Sequence, residues 1–498
     1  MNYQSTRNKQ IKISAAQAIK QGISTEGGLF VPESIPTMEI EEISALKDMT
    51  YQKRAVTILS KFLTDYSTEE LTECCEKAYS FEKFPVADVA PVKKINDSMY
   101  MLELWHGPTC AFKDMALQIL PHLLTKAVKK TGEDKEIVIL VATSGDTGKA
   151  ALEGFKDVEG TRMQVFYPVD GVSKIQKLQM VTQEGKNVSV AAVKGNFDDA
   201  QTGVKKIFTD NDYKRKCEEN GFAFSSANSI NWGRLVPQIV YYFSAYADML
   251  KTGEINLGEN INICVPTGNF GNILAGYYAK KMGLPVNKFI CASNKNNILT
   301  DFLTKGEYDK NRDFYTTSSP SMDIIISSNL ERLLYIISDY DDSFVKDCMN
   351  QLATSGKYVV SENILGKIKA EFSAGCCDDA MTTETIGKVF SNYGYVADTH
   401  TAVAIKVYED YLDSTSDKTK TVIASTANPF KFNKSVLEAL DASTDYNKCD
   451  EFELLDLLSG KGNIAIPQSL ANLKNKEIRF DAVYEKTEMI NAVNEFLS

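Results

Sequence analysis

The sequence predicts an α/β fold, with two parallel-sheet α/β domains behind an N-terminal, mostly helical region. Apolar runs such as Ile137-Val138-Ile139-Leu140-Val141-Ala142 and Ile261-Asn262-Ile263-Cys264-Val265-Pro266 carry no charge, the pattern of strands buried on both faces. Each ends in a turn of glycine and small polar residues and then passes into helical periodicity, and repeated strand-turn-helix units build a parallel sheet covered on both sides. The 498 residues exceed what one core serves. The expected division is 1–95 packing on the catalytic core, 96–250 as one α/β domain, and 251–498 as a second with a C-terminal extension.

Charge and cysteine usage narrow the function. The 55 Lys+Arg against 66 Asp+Glu give −11 with no long basic run, which argues against a nucleic-acid or anionic-membrane partner. No stretch reaches about 18 uninterrupted apolar residues and the first ten residues lack the apolar core of a signal peptide, so a cytoplasmic protein is expected. The ten cysteines are scattered, which reads as reduced thiols rather than a disulfide framework. With three histidines and no CxxC or HExxH spacing, no metal site is expected.

In chain order, helices are expected at 15–21 and 51–62, with a Gly-Gly turn in Glu26-Gly27-Gly28 between them. Ser67 and Glu70 have capping-box spacing before another helix. A helical pattern opens at Lys113 and meets Pro121, which must kink it or end it one residue earlier. Strands at 137–142, 163–167, 188–193 and 222–225 alternate with helices at 150–155, 173–183 and a long polar one at 198–219, before a helix from 235. The alternation resumes with a strand at 261–266, a helix at 273–282, a strand at 289–292 and a polar helix start at 294–297. Helices follow at 331–338 and 344–352. Gly394 ends one helix, Asp398 or Thr399 caps the next (402–412), and a strand at 421–424 precedes a helix from 434. His400 beside that cap reads as a capping or packing residue.

The chemistry centres on Lys113. A lysine at a helix start faces the positive end of the dipole, where an ammonium is disfavoured by a few tenths to about 1 kcal/mol, and a deprotonated amine sits better. The alternative is a helix-start lysine paired with Asp114. Thr143-Ser144-Gly145-Asp146-Thr147-Gly148, between a buried strand and a helix, brings hydroxyls and backbone N–H groups to one anion site; its spacing is not that of a nucleotide-binding P-loop. Asn228, Asn231 and Arg234 stand at another strand end, where arginine suits a bidentate grip on phosphate or carboxylate, although a surface ion pair is as common. Gly268-Asn269-Phe270-Gly271-Asn272 lets the backbone approach an anion closely. In Ser425-Thr426-Ala427-Asn428, small hydroxyls at a strand end suit an unprotonated ring nitrogen.

Taken together, HGPT-x-AFKD around Lys113, TSGDTG at 143–148, NSINWGR at 228–234, GNFGN at 268–272 and STANPFKF at 425–432 resemble the threonine synthase family of fold-type II (tryptophan synthase β-like) pyridoxal-phosphate enzymes. The likeness extends to GGLFVP at 27–32, GNFDDAQ at 195–201 and SMDI at 321–324. It implies that Lys113 bonds the cofactor pyridoxal 5′-phosphate, that Gly268, Asn269, Phe270, Gly271 and Asn272 hold its phosphate, and that Thr426 meets its pyridine nitrogen. Asp146 falls where many relatives carry an asparagine near the cofactor's 3′-oxygen. Thr143, Ser144, Thr147 and Gly148 would cradle a substrate carboxylate, and Asn228, Asn231 and Arg234 would face a substrate phosphate. The longer members are often monomeric, and a monomer is expected.

The activity so implied turns O-phospho-L-homoserine and water into L-threonine and phosphate by γ-elimination and β-addition of water, with Lys113 as the base at Cα and then Cβ. It needs two anion sites at once, a neutral glycine turn for the permanent ligand and an arginine-bearing turn for the transient one. The alternatives are a serine/threonine dehydratase on the same fold and a non-catalytic phospho-ligand sensor.

Overall fold

The computed structural model describes every residue except Ser144, Asp170 and Gly171, and positions 197 and 198 by backbone alone. Two parallel sheets carry the chain. One has six strands in the order Phe372–Cys376, Val286–Ser293, Ile261–Pro266, Thr421–Ser425, Met99–Glu103, Val92–Lys94, all parallel except the last. The other has five parallel strands in the order Val483–Glu485, Val188–Lys194, Thr161–Pro168, Glu136–Ala142, Phe222–Ser225. In the inner strands the apolar runs are buried along their whole length, as expected of parallel sheet covered on both faces.

The sheets cut across the contiguous ranges expected from the sequence. Met99–Glu103, which leads to Lys113, pairs with Thr421–Ser425 in the six-stranded sheet, and the C-terminal strand Val483–Glu485 closes an edge of the five-stranded one. The chain therefore passes from the six-stranded sheet to the five-stranded one through the Lys113 segment, and side chains borne on both sheets meet there.

At the N-terminus, Tyr3–Ser5, Asn8–Ile13 and Phe30–Pro32 form a small antiparallel sheet that the helical reading of this region did not include. The Gly27-Gly28 turn serves it: Gly27 has φ +88°, and a Cβ on Gly28 would fall 2.1 Å from Ser5 Oγ. Arg7 grips Glu331 through Nε (2.9 Å) and Nη2 (2.7 Å), fastening this sheet to the helix Leu330–Ile337.

Several helices start and stop where the sequence places them. Ala15–Gln21 and Tyr51–Phe62 match, and Ser67 and Glu70 complete their capping box. Pro121 does not kink a continuous helix: a short turn Asp114–Leu117 ends first, and Pro121 stands in the first turn of a new helix, Leu120–Lys130, where its missing N–H costs nothing. The long polar helix at 198–219 is two helices, Phe197–Thr209 and Asn211–Glu219, because Asp210 turns its side chain onto the N–H of Tyr213 and caps the second. The helix start expected at 294–297 lies later, at Ile298–Lys305, since Asn294 and Asn296 are committed to Asp323 Oδ1 at 2.8 and 3.0 Å.

Candidate active site

Lys113 is delivered to the site by a backbone contact between distant parts of the chain. Phe112 N–H donates to Thr426 O at 2.8 Å and Asn428 N–H to Cys110 O at 3.0 Å, an antiparallel bridge that binds the 110–112 loop to the turn after Thr421–Ser425. Lys113 and Thr426 are neighbours for that reason. Ser425 Oγ is taken up by Trp105, Tyr395 and Thr401, whereas the Thr426 hydroxyl has no partner among the described residues.

The lysine is 9% exposed, and among the described residues its Nζ has one hydrogen bond, to Ser321 Oγ at 3.2 Å; Asp146 Oδ2 stands 3.6 Å away. Burial draws its pKa below the ordinary lysine range; Asp146 opposes, and Lys431 and Arg234 add to the fall. Asp146 is held the other way. Burial alone would lift it, but Lys431 at 2.7 Å, then Lys113, and Gln176 at 3.1 Å outweigh burial and keep the carboxyl well below the usual carboxylate range. The pairing of Lys113 with Asp114 is not formed: Asp114 turns onto Thr109 N (2.8 Å) and Oγ1 (2.7 Å).

The glycine turn at 268–272 has the features of a phosphate cradle. Phe270, at φ +62°, holds a left-handed conformation that a bulky side chain rarely takes, immediately before the helix Gly271–Lys281. A Cβ on Gly268 would lie 2.7 Å from Ser321 O, so the loop passes the 321 segment at the distance only glycine permits. Asn272 accepts from Tyr242 OH, while its buried Nδ2 has no partner among the described residues. Asn269 is exposed and its carbonyl is fixed by Asn329 N and Nδ2, both at 3.1 Å. The helix dipole, the free Nδ2 and the close backbone all suit an anion.

In the 143–148 turn, Ser144 lies outside the described residues. Thr143 Oγ1 accepts from Gly145 N (3.0 Å) and Gly148 N (2.9 Å), so its hydroxyl oxygen and those two N–H groups shape the loop rather than standing open to a ligand. Thr147 is half-buried in the first turn of the helix Asp146–Phe155, whose N-terminal N–H groups suit an anion. Gly145 has φ +141°, and a Cβ there would meet the Gln176 amide at 2.5 Å.

The third group divides. Asn231 is buried and structural: Nδ2 donates to Ile19 O and Ser226 O, each at 2.9 Å, and Oδ1 caps the helix Trp232–Lys251 by accepting from Gly233 N. Asn228 is exposed. Arg234 is 5% exposed, donates Nη1 to Ala227 O at 2.9 Å, and has no carboxylate partner and no partner for Nε among the described residues. Burial lowers its pKa to about 10, which still leaves it charged at neutral pH. A buried cation without a counter-ion, close enough to Lys113 to depress it, is a preformed place for an anion.

Three residues without a role in the sequence reading complete the site. Lys431 is buried against Asp146, and Ser321 lies between Lys113 and Asp146. His400 accepts the Ser321 N–H on Nε2 at 3.2 Å, which assigns its ring proton to Nδ1, 2.7 Å from Asp398. Asp398 caps the helix Thr399–Thr415, so the capping and packing reading of this corner fits. Lys431 had a signal in sequence, a lysine between two phenylalanines. No group of three or more metal-ligating side chains occurs among the described residues.

Residues 2–79 match the family model described as threonine synthase N terminus, residues 85–363 that of pyridoxal-phosphate dependent enzyme, and residues 401–496 that of threonine synthase, C-terminal. Human threonine synthase-like 1 is 40% identical over 443 residues, covering 86% of this chain but 58% of that protein, so the chain spans under two thirds of the length of such relatives. Threonine synthase of Pseudomonas aeruginosa is 37% identical over 440 residues, covering 88% of this chain and 90% of that one. The crystal structure of pyridoxal-phosphate-bound threonine synthase from Brucella melitensis superposes with TM-score 0.88 at 34% identity, covering 100% and 98%. With Lys113 beside a glycine cradle and the matches running from residue 2 to residue 496, the chain belongs to the threonine synthase family of fold-type II pyridoxal-phosphate-dependent enzymes.

Proposed function

We propose that this chain is a threonine synthase, a lyase that converts O-phospho-L-homoserine and water into L-threonine and inorganic phosphate. The observation that carries the reading is Arg234, a buried cation with no carboxylate partner among the described residues, on the Lys113 side of a site that already has a neutral cradle for the cofactor phosphate. A dehydratase acting on serine or threonine needs no such second anion pocket.

Pyridoxal phosphate fits these residues: Lys113 for its aldehyde carbon, the 268–272 turn with Asn272 Nδ2 for its phosphate, and the Thr426 hydroxyl for its ring nitrogen. Bound there, it supplies the electron sink that spreads the charge left by departing protons. The protein's own groups do the rest. Lys113 Nζ, its proton affinity lowered by burial, takes the Cα proton and then a Cβ proton, while Ser321 Oγ orients it. Arg234, with exposed Asn228 beside it, grips the γ-phosphate and stabilises it as it leaves. Thr147 and the helix behind it hold the carboxylate. The protein acts as a monomer in this reading, and ten unpaired cysteines support a reducing, cytoplasmic setting.

Incubated with phosphohomoserine, the protein releases phosphate and threonine in equal amounts. Phosphohomoserine left untouched, with 2-oxobutyrate formed from threonine, overturns the reading in favour of a dehydratase. Borohydride fixes the chromophore on Lys113, and Lys113→Ala abolishes both colour and turnover; a cofactor-free Lys113 with no turnover identifies a sensor instead.

A further inference from the structure

We propose that Lys431 is a positioning residue for Lys113: by keeping Asp146 as its own counter-ion, it leaves Lys113 as the lysine of the pair that gives up its proton. The inference rests on the reading of Lys113 as the reactive amine.

The two oxygens of Asp146 are unequally shared. Oδ1 is 2.7 Å from Lys431 Nζ and also accepts from Gln176 Nε2 at 3.1 Å. Oδ2 faces Lys113 Nζ at 3.6 Å and Ser321 Oγ at 3.5 Å, both longer than an ordinary hydrogen bond. Lys431, its side chain wholly buried, has an acceptor for each of its three N–H bonds: Asp146 Oδ1, Thr109 O at 3.0 Å and Gln179 Oε1 at 3.3 Å. Among the described residues Lys113 has one acceptor, a hydroxyl. Two buried lysines share one carboxylate, and geometry decides which of them has it.

The other charged groups around Lys113 do not alter that division. From the helix Asp146–Phe155, Lys149 is satisfied by Glu153 at 2.9 Å. From Trp232–Lys251, Arg234 adds a second positive neighbour. Asp114, next in the chain, is turned onto Thr109, and Thr109 O in turn receives Lys431. His400 reaches the site only through the backbone N–H of Ser321. Burial and Lys431 both lower the proton affinity of Lys113, against Asp146.

The test uses the full chain, with two readouts that do not depend on turnover. One is the pH midpoint of the bound cofactor's absorbance. The other is the pH dependence of Lys113 acetylation by acetic anhydride in cofactor-free protein, read from the mass of the peptide that contains it. Lys431→Met moves both midpoints up by about one pH unit or more, because Asp146 is released to Lys113. Lys431→Arg keeps the charge and stays within about half a unit of wild type. Equal midpoints in wild type and Lys431→Met overturn the proposal. If Lys431→Met does not fold, Lys431→Gln, which keeps a neutral donor for Asp146, takes its place. A midpoint raised above wild type supports the proposal, and a midpoint equal to wild type overturns it. A wild-type protein that forms no chromophore overturns the reading of Lys113 instead, a result distinct from an unshifted acetylation profile.

Discussion

Arg234 reaches back to the carbonyl of Ala227 at 2.9 Å, and that oxygen is its one hydrogen-bond partner among the described residues. A guanidinium buried to this depth is ordinarily paired with a carboxylate. Here a main-chain dipole holds it in place and no carboxylate among the described residues compensates its charge. Arg234→Ala is expected to lower kcat/KM for phosphohomoserine by roughly 10²–10⁴-fold, the worth of two charge-assisted hydrogen bonds. The cofactor's absorbance stays in place. Loss of bound cofactor in this variant would show that the two phosphate sites had been exchanged.

Asn231 separates from its neighbours by the same bookkeeping of partners. Both of its amide hydrogens go to buried carbonyls, Ile19 O and Ser226 O, and its oxygen caps a helix. Removing it strands two acceptors and a cap, so Asn231→Ala should cost about 2–4 kcal/mol. Exposed Asn228→Ala should stay within about 0.5 kcal/mol in stability while weakening substrate use. Urea midpoints of the two variants check this; wild-type stability in Asn231→Ala with only substrate affinity lost returns the residue to the phosphate site.

Gly268 is constrained by space rather than by dihedral angle. An added methyl would meet Ser321 O at 2.7 Å, and Ser321 is the residue that bonds Lys113. Main chain does not yield as a side chain does, so Gly268→Ala should strain the loop by about 1–3 kcal/mol and weaken cofactor retention about 5- to 150-fold. At Gly271 the nearest atom to a new Cβ is Asn329 Nδ2 at 3.4 Å, an ordinary contact, and Gly271→Ala should cost far less. Cofactor titration of both variants distinguishes the positions.

The legible parts of this site are those whose chemistry is local. A strand buried on both faces must be apolar throughout, and a turn that takes an anion at a helix start must be small and polar, so 137–148 and 261–272 announce themselves. Arg234 could be marked as an anion grip, but Asn231, three residues before it, could not be told from a ligand residue until its partners Ile19 and Ser226 were seen. Lys431 and His400 lay further out of reach. Their roles arise from Asp146 and Ser321, groups remote in sequence, and nothing local to Phe430-Lys431-Phe432 says which carboxylate neutralises the lysine. Met99–Glu103 shows a related limit: a short buried strand announces neither its sheet nor its place beside Thr421–Ser425.

His122 supplies a pH test outside the catalytic centre. It lies on Leu120–Lys130, its Nε2 is buried without a partner among the described residues, and burial, with Lys83 and Lys77, pushes its pKa down to about 4. The folded value lies below that of the unfolded chain, near 6.5, so between these limits the unfolded chain binds a proton that the folded one refuses. The stability involved is complete above about pH 6.5 and is lost as pH falls towards 4, by about 2–3 kcal/mol in all. Other groups titrate over this range, but the difference between wild type and His122→Leu isolates this one. Urea unfolding at pH 7 and pH 4.5 should find the variant gaining about 2–3 kcal/mol on wild type at the lower pH. A constant difference between the two would mean that the folded protein accepts the proton on His122 after all.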